Sequence, residues 1–135
     1  MIPLCIDQGI AVTPFSPLAR GLLAGDAASL RNRTDVFVNE QYGDEASLDI
    51  ARAVGGVAEA RGVLPSQIGL AWTAARPGVT STLIGVESVQ QLDEAIAALD
   101  LRLTDDEQYE IDRWYTPCDV INDHNRNRIP RAPRS

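Results

Sequence analysis

Only two stretches of this 135-residue chain have the apolar, β-branched make-up of a buried strand. They are residues 10–15 (IAVTPF) and 79–86 (VTSTLIGV), and nearly every other patterned stretch is helical. Two strands constrain the fold sharply. Buried parallel strands need neighbours on both sides and helices on both faces, so two alone leave unpaired edges and an uncovered sheet face. The order along the chain is helix end, strand, loop, two helices, strand, two helices and tail. This alternation predicts an α/β fold with two parallel strands and four to five helices, incomplete as an isolated unit.

The helices are marked by their ends. Residues 2–8 read as the last turns of a helix, with Gly9 suited to its C′ position. From Asp44 a helical period places Leu48, Ala51, Val54, Ala58 and Ala60 near one face, and Gly62 closes it. Gly55 and Gly56 fall inside, each costing about 1 kcal/mol relative to alanine. A second helix starts with Pro65 at N1 and builds its apolar face from Ile68, Leu70, Ala71, Trp72 and Ala75 before Pro77-Gly78 ends it. Ser88 with Gln91, and Thr104 with Glu107, are two capping boxes. The first opens a helix predicted to turn Leu92, Ala95, Ile96 and Leu99 inward. The second opens a short helix through Trp114, with Asp105 and Asp106 at its positive end. Residues 26–43 show no sustained period and read as an excursion loop.

Composition excludes several functions. Hydrophobic residues at 44% and charged residues at 23% read as soluble and globular, within the size of one domain. No apolar run approaches the ~20 residues of a membrane helix, so no membrane partner is expected. The start lacks a basic n-region, so the expected location is cytoplasmic, with Cys5 and Cys118 as reduced thiols and no metal centre. A net charge of −7 argues against nucleic acid. Arg126, Arg128, Arg131 and Arg134 run against that trend, as a solvated tail or a contact to an anionic partner. All twelve basic residues are arginine, and His124 is the single histidine. A Schiff-base lysine, a lysine-tuned tyrosine or a histidine pair therefore cannot be assembled from this chain alone.

Three segments share one likeness. GIAVTPFSPLARGLLAG (9–25) resembles the seventh-strand segment of the aldo-keto reductases. IGLAWTAARPGVTSTLIGVESVQQLDEAIAAL (68–99) resembles their final helix–strand–helix, and LTDDEQYEID (103–112) the capped helix that follows. The resemblance implies the C-terminal part of a (β/α)8 TIM barrel, a fold of roughly 250 residues. Residues 1–115 would be a partial domain holding the last two β/α units and accessory helices, and 116–135 a tail. Met1 would lie inside the sixth helix of the barrel.

The same resemblance implies a cofactor site made of two loops. Ser16, Pro17, Leu18, Arg20 and Gly21 would lie at the mouth of the first strand, along the pyrophosphate of a nicotinamide cofactor. The Ser16 hydroxyl, the Leu18–Gly21 amides and the Arg20 charge would be the donors. Gly85, Glu87, Gln91 and Glu94 would lie at the second strand exit, against the adenosine end of NADP(H). Gly85 stands where many members carry a lysine, Glu87 where others carry serine, and Ala95 where asparagine is common. A 2′-phosphate seeks Arg or Lys, and this loop offers none, so NAD(H) is also possible, and the fragment alone is expected to bind either cofactor weakly or not at all. Without the resemblance, the first loop reads as a Ser-Pro turn with Arg20 in solvent, and Gln91 and Glu94 as an exposed helix face.

The family's proton-donating tyrosine and its lysine, aspartate and histidine partners come from the first half of the barrel. Tyr42, Tyr109 and Tyr115 lie in no matching context, so no catalytic residue is assigned. Trp114 and Tyr115 are candidate substrate walls, or else pack beneath the barrel. The expected function is a C-terminal fragment of an NAD(P)H-dependent reductase of small aldehydes or ketones, inactive alone. The alternative is an inactive binding module that self-associates through unpaired strand edges or pairs with a complementary half-barrel.

Overall fold

The computed structural model describes residues 1–25 and 42–115. Most of the predicted excursion loop therefore lies outside the described residues. So does the tail, with Cys118, His124 and the four tail arginines.

Local signals set the helix ends. Helix α1 (Ile2–Asp7) stops where Gly9 turns left-handed at φ 63°. The Gly9 amide then donates to the Ile6 carbonyl (3.3 Å) and the Ile10 amide to Cys5 (2.7 Å), the two bonds of a Schellman stop. Helix α2 (Glu45–Arg61) begins under Asp44, whose Oδ1 accepts the Ser47 amide at 2.9 Å. It runs through Gly55-Gly56 without a break and ends in the same stop, Gly62 donating to Glu59 and Val63 to Ala58. Helix α3 (Pro65–Ala74) starts with Pro65, and the Leu64 amide donates to Gln67 Oε1. Helix α4 (Val89–Ala97) passes directly into a 3₁₀ turn, Ala98–Asp100. Helix α5 (Asp105–Asp112) carries both bonds of its capping box, Glu107 amide to Thr104 Oγ1 and Thr104 amide to Glu107 Oε2. It stops short of Trp114.

The core lies among the helices. Val54, Val57 and Ala58 of α2, Ile68 of α3 and Ile111 of α5 bury together, with Leu23, Trp72, Leu101 and Leu103 packed around them. Val57 belongs to this face and Ala60 does not, because 54, 57 and 58 share one side of the helix while 60 lies across it. Ala75 is likewise exposed, beyond the end of α3.

The two predicted strands lie side by side but form no continuous ladder. Val12 bridges Val79 and Phe15 bridges Leu83, both parallel. The Thr80 amide donates to the Val12 carbonyl and the Leu83 amide to the Pro14 carbonyl, each at 2.9 Å. The first segment advances three residues between bridges and the second four, a bulge-like slip. Pro14 has no amide to extend the pairing. Nor are the segments buried as predicted: Ile10 is 55% exposed, Phe15 79% and Leu83 59%. Each has one neighbour where a buried parallel strand needs two. The same holds for α4. Leu92, Ile96 and Leu99, predicted to face inward, are exposed, although Ile96 and Leu99 face Leu70 of α3 across an open groove.

Candidate functional site

Parallel pairing decides where the loops emerge. Because Phe15 bridges Leu83 near the end of each segment, the chain leaves both at the same edge, through Ser16 and through Ile84-Gly85.

The first exit is a compact turn with unusual backbone. Ser16, Ala19 and Arg20 have φ of 54°, 48° and 57°, and Gly21 of 102°. Only glycine takes such angles without a Cβ penalty. Hydrogen bonds inside the turn hold it: Ala19 amide to Ser16 carbonyl (3.0 Å), Gly21 amide and Leu23 amide to the Leu18 carbonyl (2.9 and 3.2 Å). The amides predicted to converge on an anion are therefore not all available, since Ala19 and Gly21 donate within the turn. Ser16, Pro17 and Leu18 are half-buried and Arg20 is exposed. A Cβ at Gly21 would meet nothing within 4 Å, so this face of the backbone is open to approach.

The second exit leads into α4. A Cβ at Gly85 would also meet open space. Ser88 Oγ accepts the Gln91 amide at 3.2 Å, as the capping box predicts. The Gln91 side chain, however, reaches past Ser88 to accept the Glu87 amide at 2.8 Å. Glu94 is half-buried, and its Oε1 accepts from Gln90 Nε2 at 2.9 Å. No arginine or lysine occurs from Pro77 through Leu101. Beneath this loop a groove of about 340 Å³ runs between α3, the second segment and α4, lined by Leu70, Val79, Ile84, Ile96 and Leu99. Thr82 Oγ1 is buried beside it without a hydrogen-bond partner.

The remaining candidates lie elsewhere. Trp114 is partly exposed beneath the Arg113 guanidinium, 4.8 Å from its ring centre. Tyr115 joins Leu23, Ile50, Trp72 and Ile111 around a cavity of about 30 Å³, room for about one water. Among the described residues no cluster of His, Cys, Asp and Glu is placed to hold a metal ion. No helix among them is long and apolar enough to cross a membrane.

Sequence reading missed the residues that support the loops, Gln67 and Gly69 of α3. A glycine inside an apolar helical run is a known sign of close approach, and Gly69 is one. Gln67 carried no comparable signal.

Comparison with known proteins identifies the family. The profile of the Aldo/keto reductase family matches residues 1–116. Versiconal hemiacetal acetate reductase of Aspergillus parasiticus is 32% identical over 126 residues, covering 87% of this chain and 36% of that protein. Aldo-keto reductase AMT2 of Alternaria alternata is 35% identical over 119 residues, covering 85% of this chain and 32% of its own. The chain thus spans about a third of the length of these curated relatives. Among solved structures, the thermostable aldo-keto reductase Tm1743 in complex with the inhibitor epalrestat superposes with a TM-score of 0.58 at 23% identity. That match covers 84% of this chain and 33% of the other, and it places the fold within the (β/α)8 barrel class. With more than half its length matched by one profile, the chain belongs to the aldo/keto reductase family.

Proposed function

We propose that this chain supplies the two cofactor-holding loops of a reductase that converts a small aldehyde or ketone with NADPH or NADH. The observation that carries this reading is the common edge: two loops with open glycine backbone leave a parallel pair on the same side, in a chain of this family. Ser16, Pro17, Leu18, Arg20 and Gly21 flank the pyrophosphate, with the Ser16 hydroxyl and the Arg20 guanidinium as donors. Gly85, Glu87, Gln91 and Glu94 meet the adenosine end. Because that loop carries no cation, it adds nothing specific for a 2′-phosphate, and NADH is held about as well as NADPH. Trp114 and Tyr115 lie away from these loops, Tyr115 beside Leu23 and Ile50, and would wall the substrate side only together with barrel segments outside this chain; the expected setting is cytoplasmic.

When bound, the cofactor supplies the hydride. The chain's own residues bind and orient it. With no lysine in 135 residues, a lysine-tuned tyrosine cannot form here, so the proton donor falls outside this chain. A titration followed by NMR with NADH and NADPH, paired with an assay on a generic aldehyde, tests both parts. The expected result is weak binding of both, on the order of 0.1–1 mM, and no turnover. Turnover by the purified chain would overturn the assignment of catalysis elsewhere, and absence of binding would overturn the loop assignment.

A further inference from the structure

We infer that α3 is the positioning element for both loops, holding one on each of its sides through Gly69 and Gln67. This rests on the proposed assignment of the loops to a cofactor. Pro65 and Gly69 are four residues apart and share a face of α3, whereas Gln67 lies across the helix from Gly69.

The Pro65–Gly69 face receives the first loop. A Cβ built at Gly69 would stand 3.0 Å from Leu18 Cδ2 and 3.3 Å from Leu23 Cβ. Gly25, at the end of the turn, comes equally close to Pro65 Cγ, at 3.1 Å from its own Cβ position. The left-handed turn thus lies directly on the helix backbone, with no side chain at 69 to hold it away. The Thr73 hydroxyl donates to the Gly69 carbonyl at 2.9 Å, so this stretch of helix is also buttressed from the turn below.

The opposite side carries the second loop. Gln67 Nε2 donates to the Glu94 carbonyl of α4 at 3.1 Å, while its Oε1 accepts the Leu64 amide. One side chain therefore starts α3 and tethers α4. Leu70, one turn on, lines the groove against Ile96 and Leu99. The distance between the two loops is set by the width of one helix, and Gly69 keeps that width at its minimum.

Two variants separate this role from plain stability. Gly69→Ala adds the offending Cβ, so the turn must shift by a few tenths of an ångström. Gln67→Glu keeps an oxygen for the Leu64 amide but loses the donor to Glu94. Amide hydrogen exchange on the full chain should speed about tenfold over residues 16–24 in the first variant and over 84–94 in the second. In each case the other loop stays as in the parent. NADH affinity, followed by NMR, should fall about fivefold in both while the melting temperature of Gln67→Glu is unchanged.

Exchange that rises in both loops together, or in neither, overturns the inference. So does loop-selective exchange with unchanged NADH affinity. Should the parent bind no NADH, the cofactor assignment fails by itself, and the exchange pattern still decides whether α3 positions the loops. If Gly69→Ala does not fold, Leu18→Ala empties the same seat from the other side and must loosen 16–24 selectively.

Discussion

Arg61 and Glu107 close on each other through two parallel bonds, Nε to Oε1 and Nη2 to Oε2, both 2.6 Å, joining the end of α2 to the first turn of α5. The same carboxylate accepts the Thr104 amide at 2.7 Å, and Arg61 Nη2 also donates to the Arg102 carbonyl at 2.8 Å. A capping residue thus doubles as an interhelical clamp. The Arg61 guanidinium beside it, against an opposing effect of burial, holds the Glu107 carboxyl well below the usual range, at about 2.

Glu107→Ala should remove both the clamp and half of the capping box. The cap alone is worth about 1 kcal/mol. Glu107→Gln, which keeps an oxygen for the Thr104 amide, should retain most of that share. Thermal melts by circular dichroism order the three proteins as parent, Gln, Ala. Equal melting temperatures for Gln and Ala would show that the amide contact contributes nothing.

The clamp also predicts a direction with pH. A carboxyl whose folded-state value is about 2 against an ordinary 4.5 stabilises the fold fully above about 4.5. That contribution is lost as pH falls towards 2. Asp44 acts in the same direction: burial pushes its carboxyl up, but hydrogen bonds from Ser47 outweigh that and hold it low. The gap in melting temperature between parent and Glu107→Gln should be widest near pH 6 and shrink steadily below pH 4.5. A gap independent of pH would refute the assignment.

Asp112 gathers two groups of α3 and its end. Its Oδ1 accepts Trp72 Nε1 at 2.8 Å and pairs with Arg76, whose guanidinium lies 3.8 Å over the Trp72 ring. Asp112→Ala strands a half-buried indole N–H, and should destabilise by about 1 kcal/mol given the partial exposure of the pair. In a Trp114→Phe background the remaining emission comes from Trp72 and should shift to the red. Unchanged emission would mean the indole never depended on Asp112.

Ile68 is 0% exposed at the meeting point of α2, α3 and α5. Ile68→Ala should cost about 2–5 kcal/mol, a large fraction of the stability of any domain this size. Chemical denaturation should give a much lower midpoint, and a midpoint near that of the parent would move the core elsewhere.

Gly21→Ala and Gly85→Ala separate space from backbone angle. Both positions are open, but Gly21 has φ of 102° and Gly85 an ordinary angle. The first should destabilise by about 1–3 kcal/mol, the second by less than about 0.5 kcal/mol. Equal melting temperatures would show that the turn relaxes at no cost.

What could be read from the sequence was local. Gly9, Gly62, Asp44 and the Thr104–Glu107 box act within one turn of themselves, and their signals held. What depended on distant neighbours could not be read. Leu92, Ile96 and Leu99 have the spacing of a buried stripe, but spacing does not reveal whether anything lies against it. Asp112 reads as an ordinary helical acid until α3 brings Trp72 and Arg76 to it. For the loops, the Ser-Pro turn and the lack of cations from Pro77 to Leu101 were visible, while the left-handed angles at Ser16, Ala19 and Arg20 were not. None of those three is glycine, so composition gave no sign of them.

Those angles bear on how far this loop can be transplanted. Ser16, Ala19 and Arg20 take left-handed backbone in a turn that is tied by its own carbonyls and seated on Gly69 through Leu18 and Leu23, and none of the three prefers that shape alone. Excised as a peptide, or grafted onto another barrel without its glycine-notched helix, the stretch would fall back to ordinary angles and lose its geometry. The transferable module is the loop together with α3, two pieces forty residues apart in sequence that only make sense as one.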